Sequence, residues 1–265
     1  MALPVLLFVA FVIIQIGLLW HARFALSHAA LMAARHASVL HGDDHAIRDG
    51  LVQGLMPFVS KADTLSDLPS ALFRSGAELS LGLASGWITW EVLSPTQKSF
   101  HDWGASADAF LSPGAAIGEL EIPATQLGSA ILHRRPSSGI VGYADGYPIG
   151  SHSGQTLIDA NVLKLRLRVG VPLNMPLAGP LIARALGVFA GCGWFDPGAA
   201  QDQTRIGLVD FGRSARGALL SPQMECRALA ARDVQGHWRP RWPVSVTISV
   251  LMQSNPRRSL MKLID

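Results

Sequence analysis

Two short segments place metal-binding or nucleophilic residue types close together in the sequence. His41-Gly42-Asp43-Asp44-His45 offers two imidazoles and two carboxylates, which are groups that bind zinc and similar ions. A metal site needs ligands that converge in space, whereas these residues lie where one helix is expected to end. Asp43 or Asp44 is suited to cap the next helix. We therefore expect no metal ion at this segment.

The second segment, residues 150–154 (GSHSG), resembles the sharp turn that exposes a catalytic serine in hydrolases. Its central residue is His152 rather than serine, and no strand-turn-helix pattern surrounds it, so we interpret it as a polar turn. The sequence has no HExxH segment, no phosphate-binding GxxxxGK[ST] loop and no GxGxxG after a strand. We therefore predict a protein that is not an enzyme, with no catalytic residue, metal, cofactor or small-molecule substrate.

A row of basic residues is the next candidate site. Lys164, Arg166 and Arg168 alternate with apolar residues, so a strand would place all three on one face. This face could bind an anionic partner, or it could be solvated and paired with Glu91. The chain has 22 basic and 19 acidic residues, a formal net charge of +3, and no run of five basic residues. We therefore expect no nucleic-acid partner.

The two cysteines, Cys192 and Cys226, are too far apart for a CxxC motif. Outside the cytoplasm they could form a disulfide worth roughly 3–4 kcal/mol, whereas in the cytoplasm they would be free thiols. Trp238 and Trp242 stand among arginines and could stack on a ligand. We expect them instead to cover the edge of the core.

The elements that position these residues begin with an apolar N-terminal segment. Residues 2–20 contain no charged side chain and a single polar one, Gln15. About 19 helical residues reach roughly 30 Å, which matches the hydrocarbon core of a bilayer. A cleaved signal peptide has a shorter apolar region behind basic residues. We expect an uncleaved membrane anchor that includes Pro4, Gly17 and Trp20; a cleaved signal and a buried soluble helix are the alternatives.

The helical pattern continues beyond this anchor until Gly42, which is expected to end it. Ala25, Ala29, Ala33 and Ala37 recur every four residues and form a stripe of methyl groups on one helix face. Small side chains allow another helix to approach closely. This alanine stripe could lie on the chain's own domain, or it could pack against neighbouring subunits.

The rest of the chain predicts an α+β domain. Alternating apolar and polar residues predict a small antiparallel sheet of about three main strands, covered on one face. Residues 101–158 are rich in Gly, Ser and Pro and are expected to form a loop-rich insertion. We thus divide the chain into a transmembrane and packing helix, residues 1–41, and an α+β domain, residues 42–265. The strands are expected at 88–92, 163–171 and 244–252, and further helices at 45–55, 66–83 and 178–191.

Four stretches of the sequence together carry a family resemblance. The first has an early proline, Pro4, and a Gln-x-Gly at Gln15 and Gly17, followed by an aromatic and basic turn into LSHAALMAARHASV. The other three are IRDGLVQGLMPF, DANVLKLRLRVGVPLNMPLAGPLI and VSVTISVLMQSNP. In order and spacing these stretches resemble the TadE-like pilus-assembly proteins, which are pilin-like minor components of the tight-adherence (Tad, type IVc) pilus system. Residues 101–155 show little similarity.

The resemblance implies a single-pass protein of the bacterial inner membrane, with its C-terminal domain in the periplasm. It implies other pilins and pilus-assembly proteins as partners, and a role in assembling or priming a pilus used for adhesion or secretion. The positive-inside rule, applied to Arg23 and Arg35, would give the opposite orientation, although a long following domain weakens that rule. The alternative function is a membrane-tethered periplasmic domain that binds a ligand or partner unrelated to pili.

One departure from the family pattern concerns the start of the chain. Family members commonly carry a short basic leader, a prepilin-peptidase cleavage site and a Glu-Phe pair just before the apolar segment. Here these would lie upstream of Met1. Either translation starts earlier than Met1, or the chain is a processed or divergent member.

Overall fold

The chain forms two compact units, each assembled from separate segments of the sequence. The first unit comprises Met1–Ala25, Ala77–Thr89 and Arg168–Val246, and the second comprises Leu26–Gly76, Trp90–Leu167 and Thr247–Asp265. The predicted division into residues 1–41 and 42–265 stays a prediction. The structure is a computed structural model that describes residues 2–59, 65–107, 118–124, 134–175, 178–189, 226, 228–231 and 238–263.

Three helices occupy the first third of the chain. Helix α1, Ala2–Val39, is 38 residues long and contains no proline after Pro4, so its backbone hydrogen bonding is not interrupted. Helix α2, Asp44–Val59, continues past Pro57, where the sequence pattern predicted an end. Pro57 lies in the last turn, so its missing N–H removes one bond near the end of the helix. Helix α3, Leu68–Ala84, follows a single 3₁₀ turn.

The turn between α1 and α2 requires a glycine. His41 and Gly42 both have positive φ, 58° and 80°, a conformation that ends α1. A Cβ atom at Gly42 would also lie 2.8 Å from the sulfur of Met261. Both the positive φ and this close contact therefore disfavour any residue with a side chain here.

The main sheet has three strands in the order β1-β6-β7, which are Ile88–Ser94, Val162–Pro172 and Arg241–Leu251. Backbone bonds from Gly170 to Trp87 and from Leu173 to Pro240 pair the end of β6 with the starts of its neighbours, as antiparallel strands require. The predicted α+β class, with a long N-terminal helix and a small antiparallel sheet, is confirmed. The apolar residues of β6 are buried, as alternation predicted: Leu163, Leu165, Leu167, Val169 and Val171.

Regular structure also occurs within the described part of residues 101–158. Strands β4, Ile140–Ala144, and β5, Tyr147–Gly150, form a hairpin. Its turn residues, Asp145 and Gly146, have φ of 51° and 84°, the conformation in which Asp-Gly favours a two-residue hairpin. The remaining elements are α4 (Gln97–Trp103), β2 (Ala105–Ser106), β3 (Leu120–Glu121), α5 (Leu157–Ala160) and α6 (Ala178–Phe189).

Each unit has its own apolar core. In the first unit, Leu173, Ala183 and Leu229 are buried together. Trp238 and Trp242 pack against this cluster as partly buried side chains, so they lie at the edge of the core as expected. In the second unit the largest fully buried side chains include Leu26, Ile47, Leu51, Phe100, Trp103 and Ile122.

Candidate functional site: the N-terminal helix and its packing

The first part of α1 exposes large apolar side chains. Within the described residues, the stretch Leu6–Val39 is long and apolar enough to cross a membrane, with a mean hydropathy of 1.9 in its best window. Of that window 11% is buried inside the protein, so the fold itself does not cover this surface. Acyl chains are the solvent for which such a surface is suited. The exposed apolar face comprises Leu6, Leu7, Phe8, Val9, Ile13, Ile14, Ile16, Leu18, Trp20 and Phe24.

The predicted anchor residues occupy different environments on this segment. Trp20 is exposed, and a Cβ atom at Gly17 would meet no atom within 4 Å. Gln15 is fully buried, and its Oε1 accepts a hydrogen bond from the backbone N–H of Met175, 3.1 Å away. Its Nε2 atom is buried and has no hydrogen-bond partner among the described residues. The side chain of Pro4 lies outside the described part of the structure.

The alanine stripe is packed against α2. Ala29, Ala33 and Ala37 have no exposed surface, and Ala25 is half-buried. A Cβ atom at Gly50 would lie 2.6 Å from the Cα atom of Ala33. At Gly54 it would lie 2.6 Å from the Cα atom of Ala29. The two glycines are four residues apart on α2 and let its backbone lie directly against α1. Small residues allow such close approach between paired helices.

Ala29, Ala33 and Ala37 have no exposed surface within the chain, and α2 lies against Ala29 and Ala33. This environment agrees with the expectation that the stripe lies on the chain's own domain. Packing of the stripe against neighbouring subunits stays a prediction. Gly50 and Gly54 are four residues apart, which is the spacing of the alanines on α1. This spacing is the sequence signal for the contact, and it was not used in the sequence analysis.

The basic strand face does not form a row of solvated charges. Lys164 is exposed, but the guanidinium of Arg166 lies 3.7 Å from the carboxylate of Glu91. Arg168 is buried, with 8% of its surface exposed. The ion pair of Arg166 agrees with the alternative of pairing with Glu91, and binding of an anionic partner by this face stays a prediction.

Of the two cysteines in the predicted disulfide, the structure describes Cys226. Cys226 is buried and disulfide-bonded. Cys192 lies outside the described part of the chain, so its pairing with Cys226 stays a prediction.

The segment at residues 41–45 has structural contacts. The Nδ1 atom of His41 is 2.8 Å from the backbone oxygen of Asn255. The carboxylate of Asp44 accepts a hydrogen bond of 2.7 Å from the indole N–H of Trp90. The side chains of His41 and Asp44 thus contact different partners.

A group that sequence reasoning missed surrounds Asp102, at the end of α4. The imidazoles of His101 and His152 lie beside its carboxylate. The turn that contains His152 was identified from the sequence, but only tertiary folding brings it to α4, about fifty residues earlier. Among the described residues, His101, Asp102 and His152 are the group of metal-ligating type that the fold brings together.

Comparison with known proteins gives one match. Residues 1–35 match the family model described as TadE-like protein. This match confirms the family resemblance for the N-terminal segment. No curated protein matches the chain, and no solved structure matches it either.

Proposed function

With residues 1–35 matching the TadE-like family, we propose that this chain is a pilin-like protein that acts in assembling or priming a Tad (type IVc) pilus. The match and the apolar helix that contains it fit a membrane-anchored protein related to that pilus system. The single observation that carries the proposal is the match of residues 1–35, and the apolar surface of α1 that the fold leaves exposed supports the membrane anchor.

The proposed mechanism is exchange of neighbours along this helix. In the bilayer, acyl chains cover the exposed apolar face of α1, from Leu6 to Phe24. During assembly, helices of other pilins or pilus-assembly proteins replace those lipids, and van der Waals packing between helices drives the exchange. Because Ala29 and Ala33 are already used inside the chain, contacts with partners fall on the larger exposed side chains.

The proposed location is the bacterial inner membrane, with one membrane pass and the folded domain in the periplasm. The disulfide at Cys226 supports this side of the membrane, because disulfides persist in oxidising compartments. The role involves no catalytic step, so selection would act on surfaces and packing rather than on reactive groups.

The experiment that tests this function replaces Ala2–Trp20 by an uncharged Leu/Ala helix of equal length, in the native host. The variant keeps an apolar span, so we expect it to remain in the membrane fraction. We expect it to lose pilus formation, since the side-chain pattern of the exposed face is gone. Gly17→Ala is the matched control, because a Cβ atom there meets nothing within 4 Å.

Normal piliation of this variant would overturn the proposal. That result would make the segment a plain tether and would favour the alternative, a membrane-tethered periplasmic domain that binds a ligand or partner. Cell fractionation would detect loss of the protein from the membrane. In that case a second replacement would retain Gln15, because this residue binds the backbone N–H of Met175.

A further inference from the structure

Two imidazoles and one carboxylate meet where α4 lies against the turn that follows β5. The Nδ1 atom of His152 is 3.3 Å from Oδ1 of Asp102, and the Nδ1 atom of His101 is 3.9 Å from the same oxygen. The two imidazole rings lie 4.5 Å apart between centroids. Each residue offers one potential ligand atom, and these three atoms lie within 4.8 Å of one another.

The carboxylate of Asp102 is held in place by the surrounding turn. Its Oδ2 accepts hydrogen bonds from the backbone N–H and the hydroxyl of Ser153, both 2.7 Å, and from the backbone N–H of His152, 3.2 Å. Its Oδ1 accepts a hydrogen bond from the hydroxyl of Ser138, 2.5 Å. The two oxygens therefore differ: Oδ2 is committed to the turn, and Oδ1 faces the imidazoles.

Fixed orientation of a ligating carboxylate by outer hydrogen bonds is a regular feature of metal sites. The hydrogen bonds from Ser138, Ser153 and the backbone of His152 fix the carboxylate of Asp102 in this way, with Oδ1 toward the imidazoles.

We propose that His101, Asp102 and His152 bind one divalent metal ion of the zinc type, through the two Nδ1 atoms and Oδ1, with water completing the coordination. Zinc bonds of about 2.0–2.2 Å to nitrogen and oxygen place neighbouring ligand atoms about 3.4 Å apart in a tetrahedral site. The His152 contact of 3.3 Å meets this spacing as it stands. His101 needs a larger shift, since its Nδ1 is 3.9 Å from Oδ1 and the three ligand atoms lie within 4.8 Å of one another; its side chain is 64% exposed and so has room to move.

The bound ion would tie the end of α4 to the turn after the β4–β5 hairpin. That hairpin presents two large exposed side chains on β4, Val141 and Tyr143, at 68% and 67% exposure. Metal binding would therefore order an exposed surface of the second unit. This inference does not depend on the pilus-related function, since it rests on residues far from α1 in sequence.

The test is a titration of the full-length protein in detergent micelles with Zn²⁺, followed by calorimetry, and with Co²⁺, followed by visible absorption. We expect one equivalent to bind, and His101→Ala and His152→Ala each to weaken binding at least about tenfold, as loss of a ligand group does. The double variant should lose binding. His45→Ala is the matched control, because His45 is also exposed and stands beside two aspartates.

Zinc should also raise the melting temperature of the wild-type protein and leave that of the double variant unchanged, since only a protein that binds the ion is stabilised by it. Both substitutions alter exposed side chains and leave Asp102 in place, and circular dichroism would verify the fold. Absence of zinc binding by the wild type would overturn the proposal and leave the imidazoles as polar neighbours of Asp102 only. Equal binding by the double variant would also overturn it.

Discussion

The two parts of α1 differ in how the protein covers them, although both are apolar and helical. From Leu6 to Phe24 the helix presents large side chains to its surroundings, and Ile13 and Phe24 are 64% and 66% exposed. Farther along, its alanines Ala29 and Ala33 are fully buried and lie against α2. Both parts belong to Leu6–Val39, a stretch of α1 that is long and apolar enough to cross a membrane.

Side-chain size distinguishes these two parts. A methyl group against a glycine brings two backbones together and leaves no space for a third chain, so the small residues serve contacts within the chain. Large apolar side chains that the chain itself leaves exposed are stable where lipid or another helix covers them, because exposure of apolar surface to water is unfavourable. Under the proposed function, contacts with partners are therefore expected on the large exposed residues rather than on the alanine stripe.

The strongest challenge to this comparison is to enlarge the buried alanines. Ala29→Leu with Ala33→Leu inserts two large side chains where α2 lies in contact, and overpacking costs typically 1–3 kcal/mol for each site, about 2–6 kcal/mol together. We expect a large fall in the melting temperature of the protein in detergent. His28→Leu, at an exposed neighbouring position, should change it little. Unchanged stability of the double variant would show that α2 does not cover the stripe.

A pair of glycine substitutions sharpens the contrast. Gly54→Ala places a Cβ atom 2.6 Å from the Cα atom of Ala29, so we expect a loss of about 1–3 kcal/mol in unfolding free energy. Gly17→Ala meets no atom within 4 Å, and alanine stabilises helices by up to about 1 kcal/mol relative to glycine. Chemical denaturation of both variants should give effects of opposite sign. Effects of the same sign would remove the distinction between the two parts.

Acid should loosen the Asp102 region before it affects the packing of α1 on α2. The pKa of Asp102 is lowered in the folded protein, so its contribution to stability is present above the unfolded value of about 3.9 and is lost as pH falls through the folded value. The contacts of Gly50 and Gly54 with Ala33 and Ala29 contain no carboxylate. Hydrogen exchange at the amide of Ser153, measured as pH is lowered below 4, should therefore accelerate first.

Asp102→Asn provides the control for this pH effect. Its exchange at Ser153 should be faster at neutral pH and should no longer respond to acid in this range. A variant that retains the wild-type pH response would assign the effect to another group.

The smallest expected effect concerns Gln15. Gln15→Leu removes the acceptor of the Met175 N–H and also removes an amide nitrogen that has no partner in the described structure, so the two changes partly offset each other. We expect a net change within about 1 kcal/mol in unfolding free energy, with faster hydrogen exchange at Met175. Unaltered exchange at Met175 would show that Gln15 does not bind this amide.

The features that the sequence predicted are those that depend on local pattern. Period-two alternation identified β6 because its apolar side chains face a core, and the charge-free run identified the exposed part of α1. The hairpin β4–β5 was missed although Asp145-Gly146 is a strong turn signal, because the surrounding residues are not strongly alternating.

Contacts between distant segments could not be read in the same way. The covering of Ala33 by Gly50 and the meeting of His101 with His152 depend on how α2 and the turn after β5 fold back. The burial of Arg168 likewise depends on tertiary packing, which overrides the alternation that placed it on a polar face.

Cross-linking along α1 in living cells distinguishes a surface that meets partners from one that the chain itself covers. Ile13→Cys and Ala33→Cys each add one thiol to the same helix, one on the exposed apolar face and one on the buried stripe. With a maleimide–diazirine cross-linker, whose photoactivated end inserts into C–H bonds and needs no thiol on the partner, we expect adducts between Ile13→Cys and pilins or further copies of the chain in cells that assemble pili, and none from Ala33→Cys. Adducts from Ala33→Cys, with none from Ile13→Cys, would contradict this expectation.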